Sequence, residues 1–94
     1  MGNLRYDDKR DLNERSIIRA LEQAFCSVCK IKGETGMPDL LVGRNGSNYL
    51  LEVKGERGRV SGEQVEWHQA WRGGVTVVRT PEEALAAVGV GGHG

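Results

Sequence analysis

Three side chains of this 94-residue chain have the types and spacing for acid–base and metal chemistry: Asp39, Glu52 and Lys54. Glu52 and Lys54 stand two apart in a strand-like run, Tyr49 to Lys54 (YLLEVK). Strand alternation puts them on one side and Leu51 and Val53 on the other. Asp39 opens a second such run, Pro38 to Arg44 (PDLLVGR), joined to the first through Asn45-Gly46-Ser47-Asn48, a hairpin signal. With Asn45-Gly46 as the turn, Arg44 faces Ser47 and Asp39 lies opposite Glu52. With Gly46-Ser47 as the turn, Asn45 faces Asn48 and Asp39 lies opposite Lys54, diagonal to Glu52. Either turn keeps all three groups on one face, within the roughly 4.5–8 Å reach of cross-strand neighbours. A slip of one residue would scatter them.

Two carboxylates that close repel, and without a counter-charge one tends to hold its proton. Lys54 supplies one positive charge, whereas a divalent cation supplies two. Oxygen ligands with open water positions suit Mg²⁺ or Mn²⁺. Such an ion bridges protein carboxylates to a phosphate oxygen, polarises the phosphorus and lowers the pKa of a bound water. Lys54 would then steady that water or the charge that develops in the transition state. Together these groups have the equipment for phosphodiester hydrolysis. The blander alternative is an exposed hairpin face with an ion pair worth ~0–1 kcal/mol.

The remaining chain supplies the elements that must position this face. Ile17, Ile18, Leu21, Ala24 and Phe25 recur at helical spacing, which predicts a helix from Asp11 to near Phe25 with one apolar face. Asp11 and Glu14 fit an N-cap pair for it. Ser27 to Ile31 reads as a short strand. After the charged loop Gly55 to Val60, Ser61 caps a helix running to about Arg72, and Gln64 completes its capping box. Val75 to Arg79 is a further strand, and Thr80-Pro81-Glu82-Glu83 opens a last helix. The fold class is therefore α/β: a small mixed sheet flanked by helices in the order α-β-β-β-α-β-α. Its strand–helix–strand passage from Tyr49 to Arg79 implies a right-handed parallel crossover. Residues 1–10 read as a polar N-terminal arm, 11–89 as a single domain and 90–94 as a flexible glycine-rich tail.

Composition narrows the partners. Thirteen basic residues balance thirteen acidic ones, so no strongly cationic surface draws a polyanion in. A local site, a metal ion or an oligomeric surface must do that instead. No apolar run approaches the ~18 residues of a membrane span, and no signal-peptide pattern opens the chain. A soluble, cytoplasmic protein is expected. Two cysteines give no disulfide framework.

Pro38-Asp39, a twelve-residue gap and then Glu52-Val53-Lys54 resemble the motif of the PD-(D/E)XK nucleases. The wider pattern is similar to the VRR-NUC family, the virus-type replication and repair nucleases. It runs as GMPDLL at 36–41, LLEVKGERGRVSGEQVEWH at 50–68 and GGVTVVRTPEEAL at 73–85. The resemblance implies a restriction-endonuclease-like core and a Mg²⁺- or Mn²⁺-dependent DNA endonuclease. Asp39, Glu52 and the Val53 carbonyl would be metal ligands and Lys54 the catalytic lysine. A glutamate on the first helix completes the family's acidic cluster; Glu14 fits that place better than Glu22, though it also fits the cap. Gln64 matches the glutamine beside the lysine, and a purely capping role is its alternative. The resemblance further implies branched DNA such as a Holliday junction as substrate, a homodimer and no organic cofactor.

Arg57 and Arg59 follow the catalytic strand and are candidate phosphate contacts; Lys30, Lys32 and Arg44 read as solvated charges. Cys26 and Cys29 are expected to be buried small hydrophobes, Trp67 and Trp71 core residues, and His68 a surface residue. Two competing functions stand beside the nuclease. One is a restriction- or resolvase-type enzyme of another branch, which would cut linear duplex as well as junctions. The other is a non-catalytic DNA-binding or assembly module, which has no use for an intact acid pair with a lysine.

Overall fold

The first helix extends further toward the N-terminus than its hydrophobic residues reveal. The computed structural model describes residues 6–91, and within it α1 spans Tyr6–Gln23. Asp11 therefore lies inside the helix and does not cap it, a correction to the sequence expectation. Residues 6–10 contain no glycine or proline to stop a helix, and their sequence, YDDKR, has no apolar periodicity to announce one. Residues 1–5 of the expected N-terminal arm lie outside the described residues.

At its other end α1 closes with a Schellman motif. The Cys26 amide donates to Leu21 O at 3.0 Å and the Phe25 amide to Glu22 O at 3.0 Å. Phe25 occupies the left-handed position, with φ +65°. Its side chain is consequently 94% exposed and leaves the apolar face expected to include it. Cys26 is buried, but Cys29 is exposed on β1, Ser27–Lys30, whose alternate residues turn outward.

β2 (Leu40–Arg44) and β3 (Ser47–Val53) form the hairpin. Asn45 and Gly46 both have positive φ, +50° and +82°, as a type I′ turn requires. Arg44 pairs with Ser47 and Leu40 with Leu51, which selects the first of the two possible registers. β3 then leads through α2 (Gly62–Ala70) to β4 (Thr76–Val78), which pairs parallel to it. The sheet order is β1-β2-β3-β4.

One face of the sheet holds the core. Leu40, Val42, Leu51, Val53 and Val78 pack against Ile17 and Leu21 of α1 and against Ala84 and Val88 from α3 (Pro81–Ala87) and its end. Thr80 caps α3 through Glu83 N, with proline in its first turn. The chain after α3 is not loose from residue 90: the Val90 amide donates to Leu85 O at 2.9 Å, and its side chain packs on the core. Residues 92–94 of the expected tail lie outside the described residues.

α2 has no buried residue. It stops at Ala70, and the two tryptophans expected in the core stack on each other instead, with ring centroids 4.8 Å apart. Stacking hides part of each ring without a core to receive it. No helix among the described residues is long and apolar enough to cross a membrane.

Candidate active site

The sheet face turned away from the core carries the polar site. Asp39 stands one residue before the Leu40–Leu51 pair at which the ladder ends, and its carboxyl adjoins that of Glu52. The Asp39 backbone is fixed on both sides: its amide donates to Leu51 O at 3.0 Å, and its carbonyl accepts from Ile31 N at 2.8 Å. Its side chain takes over where the ladder ends. Asp39 Oδ2 accepts the Val53 amide at 2.7 Å, and Oδ1 accepts Arg10 Nη2.

Glu52 is 0% exposed, an extreme position for a carboxylate. Its Oε2 accepts Gln64 Nε2 at 2.8 Å and lies 3.6 Å from Lys54 Nζ. Its Oε1 has no hydrogen-bond partner among the described residues. Burial first, and then the adjoining Asp39 carboxyl, push Glu52 up to about 8, against the opposing pull of Lys54 and Arg10. Lys54 is itself 9% exposed, so its ammonium is aimed into the site and away from bulk water.

Gln64 serves two structures at once. Its Oε1 accepts the Ser61 amide at 2.9 Å while the Ser61 hydroxyl accepts the Gln64 amide, completing the capping box. The same side chain's Nε2 grips Glu52. The cap and the site contact thus coexist, and the helix start orients the amide toward the acid.

Several residues at the site carried no clear sequence signal. His68, expected at the surface, is turned inward with Nε2 3.7 Å from Glu52 Oε1. Burial and then the Lys54 ammonium lower its pKa, which favours a neutral imidazole. Asn13 Nδ2 donates to both Lys54 O (2.9 Å) and Arg79 O (3.0 Å), tying α1 to the ends of two parallel strands. Arg79 Nη1 donates to Gly55 O and Gly58 O at 2.7 and 2.6 Å, which fixes the loop that presents the exposed Arg57 and Arg59. Arg10 is the fourth. Burial works against its charge, but Asp39 and Glu14 outweigh that and hold its pKa above the ordinary value. A usable signal was the spacing itself: Arg10, Glu14, Ile17 and Leu21 continue one helical stripe, polar where it overruns the sheet.

The structure brings Asp39, Glu52, Lys54 and Gln64 together. Glu14 is buried close by, but its carboxylate is taken by Lys30 Nζ at 3.0 Å and approached by Arg10 Nη2 at 3.9 Å. It reaches Asp39 only through Arg10, which pairs with both. Accordingly, the described residues contain no group of three His, Cys, Asp or Glu side chains gathered to hold a metal ion. Arg44 is engaged elsewhere, donating to Val88 O at 3.1 Å.

A buried Glu52 beside a half-buried Asp39, an inward lysine and a glutamine clamp at the end of a mixed four-stranded sheet define a small α/β domain with a polar site built on its hairpin. A solved structure described as a VRR_NUC domain is similar over 85% of this chain and 94% of its own length, with a TM-score of 0.71 and 25% identity. The chain has the fold of that domain, and the likeness supports assigning it to the VRR-NUC family. No family model matches the sequence, and no curated protein does.

Proposed function

We propose that this chain is a metal-dependent DNA endonuclease, hydrolysing phosphodiester bonds in branched DNA as a homodimer in the cytoplasm. The similarity to a VRR_NUC domain supports the nuclease class. The observation that carries the chemistry is the unpartnered Oε1 of fully buried Glu52 beside a second carboxylate, Asp39. An acid buried this deeply with one oxygen unsatisfied fits the ligand chemistry of a hard divalent cation. Asp39, Glu52 and the Val53 carbonyl, which leaves its strand on the same edge as the amide bound by Asp39, would hold Mg²⁺ or Mn²⁺. Mg²⁺ commonly takes one or two carboxylates and fills its remaining positions with water and phosphate oxygens, so a two-acid site suffices. Such a cation supplies Lewis acidity toward the phosphate and a stronger water nucleophile.

The protein's own groups perform the rest. Lys54 stabilises the charge that develops on the phosphoryl oxygens. Gln64 fixes the orientation of Glu52, and Arg57 and Arg59 contact flanking phosphates. Water oxygen bonds to phosphorus as the bond to the 3′ oxygen breaks, leaving a 3′-hydroxyl and a 5′-phosphate.

Cleavage of a four-way junction and of a linear duplex with Mg²⁺ or Mn²⁺ tests this directly. Asp39→Ala and Lys54→Ala should each lose about a hundredfold or more in rate. Equal rates in both variants and the wild type would refute the assignment. Equal cutting of the two DNAs would move the substrate from junctions to duplex. DNA retention without turnover in the wild type would instead mark a binding or assembly module.

A further inference from the structure

Arg10 is the one cation in direct contact with Asp39 among the described residues, and hydrolysis as proposed above gives it no task. Its guanidinium donates to Asp39 Oδ1 and approaches Glu14 Oε2. Glu14 in turn holds Lys30, whose side chain is more than half exposed. Arg10 is anchored on α1, twenty-nine residues away in sequence from the acid it binds, and its own side chain is one-third exposed. It can therefore leave Asp39 without unpacking the core, since the buried residues of α1's apolar stripe, Ile17 and Leu21, lie further along the helix.

The bond it makes competes with a divalent cation for the same oxygen. Two positive groups on one carboxylate oxygen repel, and each would be deprived of part of its partner. A guanidinium freed beside a phosphate-binding site has the planar fork that matches phosphate oxygens in a bidentate pair. Glu14 remains as a tether that keeps it at the rim of the site.

We propose that Arg10 is a substrate-positioning residue that neutralises Asp39 in the cation-free protein and turns to a DNA phosphate once a divalent cation occupies the acid pair. This rests on the metal-dependent reading of the site. It makes cation and DNA binding mutually supportive, because each favours the arrangement in which Arg10 has left Asp39. It also assigns Glu14 a role in holding basic side chains toward DNA.

The test compares wild type with Arg10→Gln and Arg10→Lys in two binding measurements on the full chain. Mn²⁺ affinity is read by titration calorimetry, and DNA affinity by fluorescence anisotropy in Ca²⁺. Arg10→Gln should bind Mn²⁺ about tenfold more tightly, having lost a charged competitor, and DNA about tenfold more weakly. Arg10→Lys keeps the charge without the fork and should show both shifts at smaller size. It also carries the test should circular dichroism show Arg10→Gln to be unfolded. A residue with only a structural role would weaken both affinities together. Unchanged or weaker Mn²⁺ binding in the variants, or undiminished DNA binding, overturns this inference while leaving the nuclease intact. Failure of the wild type to bind Mn²⁺ removes the metal site and the inference with it.

Discussion

Glu52 concentrates the conflict between stability and chemistry in this protein. Its carboxyl titrates from an ordinary 4.5 in the open chain to about 8 in the folded one, chiefly because it is buried. The native state thus binds the proton more tightly than the unfolded state, so this group's stabilising contribution is complete below 4.5 and is lost as pH rises to about 8. The metal-free protein should therefore show a falling melting temperature across that window. Glu52→Gln should flatten the fall, and saturating Mn²⁺ should oppose it by binding the ionised acid; calorimetric scans at several pH values check both. Gln64→Glu separates the two duties of its side chain. The new carboxylate still accepts the Ser61 amide, but it sets a negative oxygen where Gln64 Nε2 now donates to Glu52. Helical content by circular dichroism should be retained while the cleavage rate drops by about tenfold or more, in line with the loss of a group that orients a ligand.

The placement of α2 depends on close approach more than on burial. The loop before β2 passes beneath its first turn at Gly36, which has φ +92°. A Cβ there would lie 2.6 Å from Glu63 O and 3.1 Å from the Trp67 Cβ. Gly36→Ala should cost about 1–2 kcal/mol from the left-handed backbone alone, and the helix must also shift. Because that helix brings Gln64 and His68 to Glu52, activity should fall further than the loss of stability accounts for. Chemical denaturation and cleavage assays on the same sample would separate the two effects. The hairpin is secured differently, by a turn whose two positive φ values fix the register locally.

The molecule as a whole carries no net charge, so long-range attraction gives DNA little help. Retention of DNA then depends on the local site and its neighbouring basic groups. Anisotropy titrations should show DNA affinity falling by about tenfold or more when Ca²⁺ is replaced by EDTA, a larger effect than a uniformly basic domain would give. Equal affinity in both buffers would shift the interaction to a surface remote from the acid pair.

The hairpin, the capping box at Ser61, the Thr80 cap and the convergence of Asp39, Glu52 and Lys54 were legible from residue order alone, because turn φ values, caps and strand alternation are set within a few residues. Gln64 was legible as a cap for the same reason. Arg10 on Asp39, Asn13 on Arg79 and His68 facing Glu52 join positions far apart in the chain, and local patterns carry no record of such meetings. The tryptophan pair shows the same limit from the other side, since apolar side chains at helical spacing enter a core only where another element is present to cover them, while Phe25 is turned out by the left-handed end of its helix. The order of residues decided which groups could act together, whereas the packing of α1 and α2 around the hairpin decided which counter-charges surround them. That difference arises because periodicity is a property of one segment, and desolvation and charge pairing belong to the space between segments.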